Sequence, residues 1–394
     1  MNDLMNEEDR MPPDVDTERL ARLTSYLIDD SDNESLRREV FDLALSCGRW
    51  EAAGDQISWA SARDPDNAPW RHRHALLNLA RNEWAAAETL LRELIDEGHR
   101  APAIVFNLAV AQFRQDRFDA AIQLTRALLD PAGPLFSDAL QLTLRCMHRL
   151  HLLDDAIKLL DRIESSDADA GSLGVGSLIA LDHGDLARVE RWAGRALAVD
   201  ATQHEALVAL GSLLVARRQV DDALNYLDLA MKSHPTDGRT LSSLGMAQLL
   251  TENLGAARDT FEHAVLRMPG HIGTWHGLAW ACVLQQDLKG ARNAFGQALA
   301  LNRGFGESHG GLAVVESLAG EYDAARLSIE RAVRLDPRCL SARYAEAVLN
   351  GDTSDPERFI RLARRVLGAR RDIEGRVLSD VVLARENGTN ADPV

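Results

Sequence analysis

Residues 204–237 read HEALVALGSLLVARRQVDDALNYLDLAMKSHPTD, and this stretch decides the fold. Leu207, Leu210, Gly211 and Leu214 fall at i, i+3, i+4 and i+7, which places one apolar stripe along a first helix. Arg218-Gln219 interrupts the stripe, and Val220, Ala223, Leu224, Leu227 and Ala230 then mark a second helix. Pro235 ends that helix, because proline cannot continue its hydrogen-bond ladder. Gly211 and Ala223 predict a close crossing of the two helices, where a larger side chain would cost roughly 1–3 kcal/mol.

The same unit recurs outward in both directions. Ala53, Ala87, Ala121, Ala156, Val189, Ala223, Ala257, Ala291 and Ala325 form a ladder of small residues, with intervals of 33 to 35 residues. A second ladder lies three residues before it: Trp50, Trp84, Phe118, Leu153, Leu186, Val220, Leu254, Leu288 and Tyr322. A period near 34 means one helix–turn–helix unit stacked repeatedly. The following units repeat the type pattern with Leu241, Leu244, Gly245, Ala257, Phe261, Ala264 and Pro269, then Trp275, Leu278, Ala279, Ala291, Phe295 and Ala298, then Leu312, Ala313, Ala325, Ile329, Ala332 and Pro337. In these residues the chain resembles the tetratricopeptide repeat family, over about residues 34–339 and about nine repeats. The resemblance implies an all-α fold, a right-handed α-solenoid or superhelix of stacked helical hairpins, capped by helices at both ends.

The organisation expected from this tiling has six parts. Residues 1–17 are an acidic, disordered segment, and residues 18–33 a capping helix with Leu20, Leu23, Leu27 and Ile28 on its apolar side. Residues 34–169 form an N-terminal repeat block and residues 170–339 a C-terminal one. Residues 340–386 supply capping helices, at 340–350, Pro356–Arg371 and Val377–Arg385, and 387–394 a disordered tail. Between the blocks, residues 164–176 combine a Ser/Asp/Ala run with Gly171, Gly174 and Gly176, which predicts a weak seam. A slightly irregular turn in one continuous stack is the alternative. The N-terminal units also depart from the family pattern, with His74 and Asn78 where Leu and an aromatic are expected.

Composition narrows the function classes. Hydrophobic residues make up 46% and aromatics only 5%, so Ala, Leu and Val must build the core, as close helix packing requires. The net charge of −16 argues against nucleic acid, which demands a dense positive surface. Of the basic residues only Lys158, Lys232 and Lys289 are lysines; this bias, with the abundant Ala, fits a bacterial coding sequence. No apolar stretch marks a membrane span or a signal peptide, and the cytoplasm is the expected location. Cys47, Cys146, Cys282 and Cys339 have neither zinc-site nor disulfide spacing.

No enzyme is expected, because the repeats leave almost no residues for a catalytic domain. Ser308-His309-Gly310-Gly311 resembles an oxyanion-hole turn but lies within a first helix, with no nucleophile elbow beside it. Of the histidine pairs only His148 and His151 have the spacing of one helix face, and no third ligand is near; no metal and no cofactor are expected.

The family resemblance implies instead that first helices line a concave groove holding a peptide or helical segment. By register the groove of the C-terminal block is Val208, Ser212, Arg239, Ser242, Met246, His276, Trp280, Gly310 and Val314, with Glu205, Arg239 and Glu307 at its edge. Trp280 and Met246 are anchor types suited to adaptable surfaces, although Trp280 also fits packing against the next unit. In the N-terminal block His72, Phe106, Gln141, Arg145 and Arg149, with Val110 and His148, give a more polar, mildly basic lining suited to a carboxylate-bearing peptide. Leu76, Val110 and Leu178 stand where the family's carboxylate clamp needs Asn, which disfavours a chaperone-tail co-chaperone. The basic helix at 356–371, with Arg358, Arg361, Arg364, Arg365, Arg370 and Arg371, offers self-association or an acidic partner. The expected function is a non-enzymatic scaffold or adaptor that binds other proteins. The alternative is a bacterial chaperone holding an apolar segment of a secreted or membrane-inserting protein.

Overall fold

A computed structural model describes residues 15–163 and 168–354, together with 358, 360, 361, 364, 367, 371, 376 and 377. The described residues form an all-α helical repeat fold. The chain divides into two compact units, Met1–Ser172 and Leu173–Val394.

In unit 1, α1 (Val15–Asp29) precedes four hairpins: α2 and α3 (Glu34–Ser46, Trp50–Arg63), α4 and α5 (Ala68–Ala80, Trp84–Asp96), α6 and α7 (Pro102–Phe113, Phe118–Arg126), and α8 and α9 (Phe136–Arg149, Leu153–Ile163). α10 (Ala170–His183) crosses the unit boundary. Unit 2 continues with α11 (Leu186–Val199), α12 and α13 (His204–Ala216, Val220–Ser233), α14 and α15 (Gly238–Leu250, Leu254–Arg267), α16 and α17 (Ile272–Leu284, Leu288–Leu301), α18 and α19 (Gly306–Leu318, Tyr322–Leu335), and α20 (Leu340–Leu349). A short 3-10 turn follows at Asp352–Ser354.

Both ladders read from the sequence have structural counterparts. Each member of the small ladder is buried in the crossing of a hairpin. Each member of the other is the first residue of a second helix, from Trp50 in α3 to Tyr322 in α19. A third ladder lies in the backbone. Two residues before each second helix the backbone turns left-handed, at Gly48, Asn82, Asp116, His151, Gly184, Arg218, Glu252, Gln286 and Gly320. Glycine accommodates that conformation without strain, yet only three of these nine are glycine, so the turn leaves no residue signature.

Phenylalanines weld successive hairpins in unit 2. A side chain added at Gly211 would come within 2.8 Å of Leu227, and one at Gly245 within 3.0 Å of Phe261. The Phe261 ring also fills the space over Gly277 of the next first helix, and the Phe295 ring that over Gly311. One ring therefore wedges between its own first helix and the following one. Phe261 and Phe295 are fully buried in consequence.

Side chains also cap the first helices at a fixed place in the repeat. Asn33, Asn67, Gln203, Asp237 and His271 each accept a hydrogen bond from the amide three residues on. Such caps satisfy otherwise unpaired amides and contribute about 1 kcal/mol each. Burial alone would raise the Asp237 carboxyl, but hydrogen bonds with His204 and Thr240 outweigh it and pull it down to about 2. A depressed carboxyl contributes stability above its unfolded pKa and loses it as pH falls through the folded one. Asp237→Asn keeps the accepting oxygen and removes the charge. The excess stability of the native chain over this variant in urea unfolding will be full above about pH 4 and will fade toward about pH 2.

Gly171 and Gly174, at the expected seam, lie inside α10, where the Gln141 side chain occupies the space over Gly171 and Gln203 that over Gly174. Two expectations need correction. The first helix begins at Val15, so residues 15–17 belong to it. Arg371 and Val377 pair in a β-bridge, so a final helix does not start at Val377. Residues 1–14, 164–167, most of the expected helix Pro356–Arg371 with Arg365 and Arg370, and the tail 387–394 lie outside the described residues.

Candidate interaction surface

The first helices of unit 2 form a layer, with α12, α14, α16, α18 and α20 in successive contact. Hydrogen bonds between side chains run along it. Ser212 meets Ser243 at 2.7 Å, Ser242 meets Thr274 at 3.1 Å, and His276 Nε2 meets Ser308 Oγ at 2.8 Å. At the last step Glu307 accepts from the Leu340 and Ser341 amides and the Ser341 hydroxyl, capping the N-terminus of α20.

This changes the expected groove lining. Ser212, Ser242 and His276 join neighbouring repeats, and Glu307 is a cap. Val208, Gly310 and Val314 are buried. A Cβ at Gly310 would sit 2.6 Å from Cys339 Sγ and 2.8 Å from the Ala342 nitrogen, so the glycine exists to let α20 approach α18. Val208 packs with Leu207 and Leu178 between α10 and α12. In the register counted from Gly211, most positions therefore meet the neighbouring first helix, and Met246 is the exception that stays exposed.

Trp280 and Met246 part company. Trp280 packs edge-on against Phe295, with centroids 6.0 Å apart, and meets the Tyr344 ring of α20 at 6.4 Å. Its packing reading holds. Met246 is 39% exposed, and Leu284 and Leu318, which the sequence reading passed over, are 53% and 43% exposed. Leu284 and Leu318 both end their helices, α16 and α18, one repeat apart. Half-buried Leu250 ends α14 at the same place one repeat earlier and packs against the cluster of Val215, Val220 and Ala247. Leu250, Leu284 and Leu318 recur every 34 residues in the sequence, a signal confined to the ends of the first helices.

Two contacts span this layer from one first helix to the next but one. Arg239 of α14 holds Asp182 of α10 through both guanidinium nitrogens, at 2.7 and 3.0 Å, across α12. Arg239 is therefore ion-paired and not an open groove edge; Glu205, for its part, accepts from Gln203. Trp280 and Tyr344 meet across α18. Burial lowers the His271 pKa, the Arg239 charge lowers it further and the Asp182 charge opposes both.

The polar lining expected in unit 1 is likewise tied to neighbouring repeats. His72 Nε2 lies 3.0 Å from Asn107, and burial, aided by Arg73, depresses its pKa. Gln141 donates to Asp169. Phe106 is half-buried against the cluster around Ile122 and Cys146, where Val110 also packs. Arg149 stands 3.7 Å from Asp116 and over the Phe118 ring. Arg145 and His148 are half-buried on α8. His151 lies beyond the end of α8 in a left-handed turn, so it does not share a helix face with His148.

The Ser308–Gly311 motif is also structural. Ser308 is fully buried against His276, Gly310 admits α20, and Gly311 admits Phe295. A hydroxyl without solvent access offers no substrate an attacking group.

The pattern of the tetratricopeptide repeat family matches residues 72–136, 208–270, 276–338 and 312–372, more than half of the chain. The chain belongs to that family. Among solved structures, a monomeric mutant of IFIT1 with Gppp-AAAA is similar at 15% identity, covering 96% of this chain and 93% of that one, with a TM-score of 0.52. YrrB, a TPR protein with an unusual peptide-binding site, matches 49% of this chain and 97% of its own at 17% identity, TM-score 0.35. MamA matches 40% and 93% at 18% identity, TM-score 0.36. At such identities the likeness concerns fold alone. No curated protein sequence matches. No helix among the described residues is long and apolar enough to cross a membrane.

Proposed function

We propose that this chain is a non-enzymatic protein-interaction scaffold, and that unit 2 holds an apolar peptide or helical segment of a partner protein against the strip Met246, Leu250, Leu284 and Leu318. The observation that carries this reading is the exposure of large apolar side chains one repeat apart on the first-helix layer. A helical segment presents apolar anchors at i, i+3 or i+4 and i+7, a spacing suited to such a strip. Met246 adds an adaptable thioether. Family membership supports protein as the partner class. The net charge of −16 and the pairing of Arg239 with Asp182 favour apolar contact over phosphate binding. The test is Met246→Asp with Leu284→Asp in the full chain: partner capture is lost if the strip binds, and retained capture by the folded variant refutes it.

A further inference from the structure

Repeat hairpins contact only their neighbours in sequence, and the small rotation from each to the next sets the curvature of the stack. A contact between first helices two repeats apart adds a constraint outside that scheme. The Asp182–Arg239 pair is such a contact, 57 residues apart in sequence and spanning α12. Both of its nitrogen–oxygen distances are hydrogen bonds, and both side chains are only about one third exposed, at 35% and 34%. The flat guanidinium matches the carboxylate fork, so the pair has one preferred geometry and resists sliding. Beneath it, α10 and α12 are joined through Leu178 and Leu207, and α12 and α14 through Ser212 and Ser243. The strap thus closes a triangle of three first helices whose other two sides are ordinary repeat contacts.

We infer that the Asp182–Arg239 pair is a charge-operated latch on the curvature of unit 2. Closed, it draws α10 toward α14 over α12. Opened by screening or by a competing carboxylate, it lets the per-repeat rotation relax and uncovers the inner surface of α12. Trp280 and Tyr344 span α18 in the same way, but that strap is apolar and indifferent to salt. Other ion pairs of unit 2, Arg217–Glu190, Arg258–Asp287 and Arg292–Glu321, join adjacent hairpins, so the Asp182–Arg239 pair differs from them in spanning two repeats. The latch stands independently of whether the apolar strip holds a partner.

The experiment uses the full chain with Cys47→Ser, since Cys146, Cys282 and Cys339 are buried. Nitroxide labels at exposed positions 187 and 236, in α11 and just before α14, report the separation by dipolar spectroscopy. At low salt the native pair gives one short, narrow distribution. Asp182→Asn shifts the ratio of open to closed forms by about two- to fivefold, the range for a pair of this exposure. About 1 M salt, with a screening length of about 3 Å, moves the native chain in the same direction and leaves Asp182→Asn unmoved. The exchange Asp182→Arg with Arg239→Asp restores the short distance. Identical low-salt distributions for the native chain and Asp182→Asn, with helicity unchanged, overturn the latch. So does an equal response of both chains to salt.

Discussion

Phe295→Ala will destabilise unit 2 by about 3–5 kcal/mol, the range for emptying a buried aromatic site. The ring has no solvent exposure and is held on several sides. Trp280 meets it edge-on, the His276 ring lies 5.4 Å away at 85°, and Gly311 of the next hairpin lies directly against it. The cavity left by the ring cannot collapse easily, because its walls belong to two different hairpins. Nearest-neighbour stacking dictates how the loss will show: α16 to α20 will unfold ahead of the remaining repeats, splitting a single urea transition into two. Circular dichroism with hydrogen exchange on those helices checks it. Gly311→Ala tests the same joint from the other side. Alone it forces the Phe295 ring aside, at roughly 1–3 kcal/mol. Added to Phe295→Ala it will be nearly silent, since the ring it displaces is gone. Additive losses would show that the two sites do not share this joint.

The second large effect is on binding. Met246→Asp with Leu284→Asp will reduce partner capture at least about 30-fold, the equivalent of one hot-spot loss of about 2 kcal/mol. In the free chain both side chains face water, so the charges are tolerated and the melting temperature will hardly move. In the complex each carboxylate would be buried against apolar atoms without a partner. Leu266→Asp is the control, because Leu266 is 75% exposed on α15, a second helix. Equal losses for the control and the double variant would remove the strip from the account.

The fold was legible because small residues at the helix crossing have no substitute. Ala223 or Ala257 must be small wherever two helices touch, whatever the rest of the repeat does. The candidate surface was less legible, for a physical reason. A side chain at a given register position faces either the neighbouring first helix or solvent, depending on how closely that neighbour approaches. Gly310 draws α20 inward and so buries Val314, whereas the equivalent of Val314 one repeat earlier is Trp280 and two repeats earlier exposed Met246. One substitution in the neighbour changes the role of a position. The Asp182–Arg239 pair lay beyond any local pattern, since two charged residues separated by 57 positions carry no mark of their meeting.

If another protein is held on the first-helix layer of unit 2, at the C-terminal halves of α14, α16 and α18, amide hydrogen exchange on the full chain with a captured partner will show it. Compared with the chain alone, new protection will appear over residues 245–251, 280–286 and 314–320, with α13, α15 and α17 unchanged. Protection confined to the second helices, or to unit 1, would contradict it.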